Sequence, residues 1–213
     1  MKILVTGFDP FGEDSINPAL EAVQALPEQI AGADIIKLEI PTAAYDSLDK
    51  IEKAIEQYDP EMILSVGLAG GDSELRIERI GININDFRIK DNAGNQYIDE
   101  PIFEDGENAY FSNLPIKTMV SAIRNGNIPA VISNSAGTYV CNHVLYGVRY
   151  LIEHKYPGKK SGFIHVPYLP CQTINKPNTP SMSLDVIVQG LVCAIEAMVS
   201  HDTDMKQEEG SIW

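Results

Sequence analysis

The sequence predicts an α/β protein in which one sheet is covered by helices on both faces. Short apolar segments typical of buried strands recur along the 213 residues, and segments with helical spacing of apolar residues separate them. No repeat and no linker divides the chain, and its length suits one domain that buries about 70 % of its unfolded surface. We therefore expect a single domain over residues 1–200 and a polar, mobile tail over residues 201–213.

Strand segments are recognised by short runs of apolar residues. Five such runs are Lys2–Thr6, Asp34–Ile40, Met62–Val66, Ala130–Ser133 and Gly162–Val166. Leu75–Ile89 alternates in the manner of strands. Asp91–Gly106 is polar and rich in turn residues, which predicts a surface excursion, and Pro167–Pro180 is a proline-rich loop.

Helices are recognised by apolar residues spaced three or four positions apart. The first begins at Asn17, a typical cap residue, followed by Pro18 at the first helical position. The second carries its apolar stripe at Tyr45, Leu48, Ile51 and Ile55 and is ended by Asp59-Pro60. The helical segments are Asn17–Leu26, Thr42–Tyr58, Ile116–Asn125, Tyr139–His154 and Ser183–Val199.

The charge balance excludes two classes of partner. Lys and Arg number 16 against 30 Asp and Glu, which gives a net charge of −14. Nucleic acids and anionic membranes both require a basic surface, so we expect neither as a partner. No apolar run approaches the roughly 20 residues that a membrane span requires, and the short apolar start is unlike a signal peptide.

The cysteines indicate a reducing compartment. Three cysteines are an odd number in a chain without a recognisable signal, so we expect no disulfide scaffold and a cytoplasmic protein. The sequence contains no Cys-x-x-Cys and no His-x-x-x-His, so no metal site is expected.

Cys141 is a candidate nucleophile because it falls in the first turn of a predicted helix. There the helix dipole and unpaired N–H groups favour a thiolate. The alternative is a small buried apolar residue, which is the state of most free cysteines.

His165 and Glu78 are candidates for a base and the acid that orients it. His165 ends a predicted strand just before Pro167, where it could act as a general base or be a hydrogen-bonded core imidazole. Glu78, in a regular strand, would share an apolar face with Ile80, Ile82 and Ile84 and would need a partner. That partner could be a histidine, as in a catalytic triad, or Arg76 or Arg79; a solvent-exposed strand edge is the other alternative.

Phe8 and Phe11 flank Asp9-Pro10 in the loop after the first strand. Two aromatic rings on a proline-stiffened loop could line a small apolar pocket, or they could cover the end of the sheet. The glycines of this loop lack the spacing of a phosphate-binding motif.

Together, Cys141, His165 and Glu78 have complementary chemistry. A thiol nucleophile, an imidazole base and an orienting carboxylate make up an acyl-transfer site. Cys171, in the proline-rich loop, and Cys193, in the middle of a helix, fit such a role less well.

Several stretches form a recognisable series from residue 1 to about residue 200. They are Val5–Gly12 with Asn17-Pro18, Ile77–Ile80, Asp86–Asn92, Ser133–Gly137 with Cys141-Asn142, and Phe163–Pro167. In this order they resemble the pyroglutamyl peptidase type I family, also called pyrrolidone-carboxylate peptidases, which are cysteine peptidases.

The resemblance implies a fold and an activity. The fold is a single-domain, three-layer α/β/α sandwich with a twisted, mixed, mostly parallel sheet, assembled as a homotetramer. The activity is removal of an N-terminal pyroglutamyl (5-oxoprolyl) residue from peptides through a thiol acyl-enzyme, without a cofactor or metal.

The resemblance also implies roles for individual residues. Cys141 matches the nucleophile, His165 the base and Glu78 the orienting acid. The positions that match substrate-binding residues are Phe8, Phe11, Asn17, Leu68, Arg88, Ile89, Tyr139 and Val140. Among these, Arg88 matches an arginine near the oxyanion site. One departure is Asp72, which stands in a loop where the family often has arginine.

Two other functions remain as alternatives from the sequence. An α/β sandwich could host a nucleoside phosphorylase, although the glycine-rich loops lack a convincing phosphate cradle. A non-catalytic binding protein could retain the fold, but the intact Cys, His and Glu argue against this.

Overall fold

The computed structural model describes residues 1–12 and 14–210, which form nine strands and six helices. The strands are β1 (Lys2–Phe8), β2 (Gln29–Ile30), β3 (Ala33–Ile40), β4 (Met62–Leu68), β5 (Leu75–Glu78), β6 (Ile80–Ile82), β7 (Ala109–Phe111), β8 (Ala130–Ser133) and β9 (Lys160–Val166). The helices are α1 (Pro18–Ala25), α2 (Ala44–Tyr58), α3 (Ile116–Asn125), α4 (Val140–His154), α5 (Pro170–Thr173) and α6 (Leu184–Ser200).

Seven strands form one mixed sheet in the order β2-β3-β1-β4-β9-β5-β8. The strands β3, β1, β4 and β9 run parallel to one another. β5 pairs antiparallel with β9 and parallel with β8, so the direction reverses between β9 and β5. β6 and β7 form a separate two-stranded antiparallel ribbon.

Helices cover both faces of the sheet. Alternate residues of the central strands, such as Ile3 and Val5 in β1, pack with α1, α3 and α6 on one face. Leu4 and Phe163 point to the other face, where they pack with α2 and α4. The prediction of a single-domain, mostly parallel α/β sandwich is therefore confirmed.

Local sequence signals account for several element boundaries. The Asn17 side chain caps α1, its Oδ1 accepting from the Ala19 N–H at 3.0 Å. α2 ends at Asp59, which adopts the left-handed conformation with φ 48°. α3 and β8 have the predicted limits.

Leu75–Ile89 departs from the prediction of regular strands. The main sheet ends at Glu78, and after Arg79 the chain enters the separate ribbon as β6. The expectation that Glu78 shares a face with Ile80 and Ile82 is therefore wrong.

Two loop predictions also need refinement. The excursion from 91 to 106 contains no helix or strand, yet Asp91 and Ile102 within it are buried. The proline-rich loop contains the short helix α5.

The tail packs on α3 as far as it is described. The Asp204 carboxylate accepts from the backbone N–H groups of Lys117 and Thr118, at 3.1 and 2.9 Å, and so caps the helix from a distant part of the chain. Glu209 pairs with Arg124 at 2.6 Å. Residues 211–213 lie outside the described residues, and the mobility of the tail and the boundary at residue 200 stay predictions.

Within residues 1–12 and 14–210, no helix combines the length and apolar character needed to cross a membrane.

Candidate active site

The central feature of the site is a buried histidine–glutamate pair. His165 Nδ1 donates to Glu78 Oε1 at 2.8 Å. His165 is 6 % exposed and Glu78 is fully buried. Among the alternatives for the partner of Glu78, the structure therefore selects the histidine.

The reversal of strand direction between β9 and β5 brings this pair together. Arg76 lies opposite His165 in the antiparallel pairing. Glu78 follows two residues later, so its side chain emerges on the same face as those of Arg76 and His165. The carboxylate thus approaches the imidazole diagonally across two adjacent strands.

Cys141 is the second residue of α4, directly after the helix begins at Val140. Tyr139 is the N-cap residue, and within the described chain its side chain makes no capping hydrogen bond. The first N–H groups of α4 are therefore available to a negatively charged group at this end. The Cys141 thiol is free and partly exposed.

Gly67 provides the space in which the Cys141 sulfur lies. A Cβ atom at Gly67 would be 3.0 Å from Cys141 Sγ and 2.8 Å from the ring of Phe163. Gly67 is also the register partner of His165 in the β4–β9 pairing. A glycine in β4 thus allows α4 to bring its thiol close to the imidazole of β9.

The environment of His165 favours its protonated form. Burial disfavours the imidazolium, but the attraction and hydrogen bonding of Cys141 and Glu78 outweigh it and raise the pKa of His165 from 6.5 to about 10. His165 therefore lies between a sulfur on one side and a carboxylate on the other, which is the arrangement that a thiol nucleophile and its acid–base partner require.

Cys141 and His165 open onto a small, mostly apolar cavity of about 170 Å³. This volume suits a ligand smaller than the drug-sized molecules that occupy pockets of about 300–1,000 Å³. The cavity is lined by Phe8, Phe11, Asn17, Thr42, Leu68, Ala136, Tyr139, Cys141 and His165.

Hydrogen bonds within the chain hold the aromatic part of this lining. Asp9, between the two phenylalanines, accepts from the Thr42 N–H at 2.6 Å and from Asn92 Nδ2 at 3.1 Å. The Tyr139 hydroxyl donates to the Lys90 carbonyl at 3.0 Å. These bonds preorganise the aromatic walls without a ligand.

Most of the predicted binding residues meet at this cavity. Phe8, Phe11, Asn17, Leu68 and Tyr139 line it together with Cys141 and His165. Asn17 also uses its side chain to donate to the Asp9 carbonyl at 3.0 Å and to cap α1, so it holds the phenylalanine loop as well.

Three predicted binding residues do not line the cavity. Val140 is fully buried between α4 and the sheet. Arg88 and Ile89 are exposed outside the lining. Their contributions to substrate binding stay predictions.

Thr42 and Ala136 line the cavity and were not identified from the sequence. Thr42 follows β3 closely, so the rule that sites gather at the carboxyl ends of parallel strands could have found it. Ala136 lies within Ser133–Gly137, one of the stretches that carry the family resemblance, but β8 runs opposite to β9, so the rule for parallel strands does not place it at the site.

No group of three or more His, Cys, Asp and Glu side chains is arranged to hold a metal ion among the residues that the structure describes.

Comparison with known proteins identifies the family. A sequence profile of the family described as Pyroglutamyl peptidase matches residues 1–201. The chain is 63 % identical over 211 residues to a pyrrolidone-carboxylate peptidase of Fusobacterium nucleatum, covering 99 % of each chain. It is 58 % identical over 212 residues to one of Clostridium perfringens, covering 100 % of each. This chain belongs to the pyroglutamyl peptidase family.

Solved structures of the family share the fold. Pyroglutamyl peptidase I from Bacillus amyloliquefaciens is similar with a TM-score of 0.94 and 42 % identity, over 97 % of this chain and 99 % of that chain. The pyrrolidone carboxyl peptidase of Thermococcus litoralis has a TM-score of 0.94 and 36 % identity over the same shares. The family assignment and the cysteine-type hydrolase class predicted from the motifs are confirmed, which disfavours the nucleoside phosphorylase alternative.

Proposed function

We propose that Cys141, His165 and Glu78 carry out the removal of an N-terminal pyroglutamyl residue from peptides in this member of the family. The observation that carries the assignment is that Cys141 and His165 open onto one small apolar cavity while Glu78 holds the far side of the imidazole at 2.8 Å. Nucleophile and base thus adjoin a cavity for the acyl group, and the orienting acid lies behind the base.

The cavity suits the ring of pyroglutamate. This residue is a neutral five-membered lactam without the ammonium that ordinary aminopeptidases bind. The rings of Phe8, Phe11 and Tyr139 offer flat apolar walls, and the Asn17 amide and the Leu68 backbone supply polar partners for the lactam. Buried polar groups that pair with a substrate discriminate strongly against analogues that lack the matching group.

The reaction follows from the positions of the groups. The Cys141 sulfur attacks the carbonyl that joins pyroglutamate to the next residue, and the resulting oxyanion is stabilised by the free N–H groups at the start of α4. Arg88 lies outside the cavity lining, and its role as a further donor is supported by the family resemblance alone. His165, protonated because of its raised pKa, donates its proton to the leaving amine. A water molecule then gives a proton to His165 and hydrolyses the thioester, releasing pyroglutamate and the thiol.

Substitution of Cys141 tests the assignment. Cys141→Ala and Cys141→Ser should remain folded but lose turnover of pyroglutamyl-7-amino-4-methylcoumarin by at least about a thousandfold. Cys171→Ala is the matched control, because Cys171 is exposed and lies outside the cavity lining; it should retain wild-type activity. Near-normal cleavage by either Cys141 variant would refute the assignment.

Alkylation separates the three thiols without relying on turnover. Iodoacetamide should label Cys141 far faster than Cys171 or Cys193, because only Cys141 adjoins a raised-pKa imidazole. Equal rates at all three cysteines would contradict the role of Cys141 as an activated nucleophile.

We also propose that the chain forms a homotetramer in the cytoplasm. Support for assembly comes from the β6–β7 ribbon, where Ile82 and the 63 % exposed Phe111 share an apolar face. The three free cysteines suit a reducing compartment. Light scattering should give four times the chain mass for the wild type and less for Phe111→Glu, and a monomeric wild type would refute the assembly.

A further inference from the structure

We propose that Arg76 is a positioning residue for this reaction, because its guanidinium ties the loop that follows Leu68 to the loop that carries Ala136 and so sets the width of the pyroglutamyl pocket. The proposal rests on the proposed function of that pocket. The sequence suggests Arg76 as one possible partner for Glu78. In the structure the partner of Glu78 is His165, so Arg76 is available for another role.

Arg76 stands at the point where the two loops meet the sheet. It lies in β5, directly opposite His165, and its side chain emerges on the same face as that of Glu78. Its side chain is 33 % exposed, so the guanidinium reaches the rim of the site rather than its interior.

The guanidinium contacts one loop directly and the other through Ser133, the last residue of β8, from which that loop begins. Arg76 Nη1 donates to Asp72 Oδ1 at 3.0 Å, and Nη2 donates to Ser133 Oγ at 3.3 Å. Both donors belong to one planar, rigid group, so the two acceptors are held at a defined separation.

Asp72 lies in the loop that follows Leu68, the last residue of β4, and connects the guanidinium to it. The Asp72 N–H donates to the Ala69 carbonyl at 3.3 Å, which folds the loop back toward Leu68. From the β9 side, the ring of Tyr168 packs so closely on Gly70 that a Cβ there would lie 2.6 Å from it. The loop is therefore held by an aromatic ring and by Arg76, which belong to different elements.

Ser133 connects the guanidinium to the loop that carries Ala136. The Ser133 hydroxyl donates to the Ser135 carbonyl at 3.1 Å and accepts from the Ser135 N–H at 3.4 Å. Ala136 follows immediately and lines the cavity. Movement of the guanidinium would thus be transmitted to both walls of the pocket.

This arrangement also explains Asp72, whose negative charge near the pocket departs from the family pattern. Its carboxylate is paired with Arg76 and lies outside the cavity lining. An ion pair in which both side chains are about one-third exposed contributes little to global stability. Its loss should therefore change the spacing of the loops more than the folding of the chain.

The test compares Arg76→Met and Arg76→Lys with the wild type in steady-state hydrolysis of pyroglutamyl-7-amino-4-methylcoumarin. Arg76→Met should raise KM at least fivefold and change kcat less than twofold, because Cys141 and His165 are held by other contacts. Arg76→Lys can reach Asp72 but cannot bridge both loops, so its KM should be intermediate. Lys53→Met is the matched control, since it breaks an exposed ion pair with Asp49 in α2, and its KM should equal that of the wild type.

Charge exchange provides a readout that a purely structural role would not give. Asp72→Lys and Arg76→Glu should each raise KM, and the double variant should return it to within about twofold of the wild type. If Arg76→Met does not fold, Asp72→Asn decides, because it alters only the loop side of the pair and should raise KM at least twofold.

Several outcomes would overturn the proposal. An unchanged KM in folded Arg76→Met, a fall in kcat at constant KM, or no recovery in the charge-exchanged double variant would each exclude the positioning role. Inactivity of both the wild type and Lys53→Met would instead overturn the proposed function, and this proposal with it.

Discussion

Replacing His143 with glutamine should make the stability of the fold less sensitive to mild acid. His143 lies in α4 two residues after Cys141, is fully buried, and takes no part in the proposed reaction. Its Nδ1 lies 3.0 Å from Asn85 Oδ1, and its ring packs edge-on against Tyr45 with centroids 4.6 Å apart. Its Nε2 has no hydrogen-bond partner among the described residues.

The magnitude follows from the burial of this imidazole. Burial lowers the pKa of His143 from 6.5 to about 3. The folded state binds this proton more weakly than the unfolded chain. The free energy of unfolding therefore decreases as the pH falls from about 6.5 to about 3. The full loss is about 5 kcal/mol, and the loss between pH 7 and pH 5 is about 2 kcal/mol, at about 1.4 kcal/mol per pH unit.

Urea unfolding followed by circular dichroism measures this effect. The free energy of unfolding is determined at pH 7, 6 and 5 for the wild type and for His143→Gln. Glutamine can keep a hydrogen bond to Asn85 but does not titrate, so the variant should lose about 2 kcal/mol less than the wild type between pH 7 and pH 5. Groups that titrate in both proteins, such as His165, cancel in the comparison.

The exposed side chain of His201, at the end of α6, provides the matched control. His201→Gln should keep the pH dependence of the wild type. Equal losses of stability in the wild type and in His143→Gln would refute the reasoning, because the buried imidazole would then not be the group that acid must charge.

Three further predictions concern the nucleophile, its helix and the tail. Gly67→Ala should remain folded but lose at least tenfold in kcat/KM in the fluorogenic assay, because its Cβ would lie 3.0 Å from Cys141 Sγ; wild-type kcat/KM would contradict this. Asn142→Ala should destabilise the protein by about 2–4 kcal/mol in urea unfolding. The reason is that the buried amide makes three hydrogen bonds of 2.9–3.0 Å to the backbone of β6 and the residues after it. A loss below about 0.5 kcal/mol would show that these bonds are dispensable. Asp204→Ala should lower the free energy of unfolding by about 1 kcal/mol, because it removes the cap of α3. Asp202→Ala changes a side chain that is 99 % exposed and should leave the free energy of unfolding almost unchanged. Equal effects of the two substitutions would exclude the capping role.

The elements with strong local signals were predictable from the sequence. The cap at Asn17-Pro18, the apolar stripe of α2 and the apolar runs of β4 and β9 depend on neighbours within a few residues, so periodicity and capping rules suffice to find them. Some limits that depend on a partner strand were not found. β2 contains two residues and exists because it pairs with β3, and Glu78 ends β5 because the next residues pair with β7 instead.

The types of reactive residue in the site were predictable from the sequence. A cysteine at a helix start, a histidine at a strand end and a glutamate in an apolar strand are recognisable because each residue type is unusual at its position. Phe8 and Phe11 were recognised for the same reason, as aromatic residues on either side of Asp9-Pro10, although the structure places Phe8 at the end of β1 and only Phe11 on the loop.

What the chain encodes locally is therefore the set of helices and central strands, the acidic surface and the identity of the reactive groups. The fold alone settles which of these groups meet. Glu78 contacts His165 because β5 runs antiparallel to β9. Arg76 joins the loop after β4 to the end of β8 because β5 begins just after that loop and pairs with β8. The physical reason is that strand direction and register depend on contacts between residues far apart in the chain, which no local pattern of side chains records.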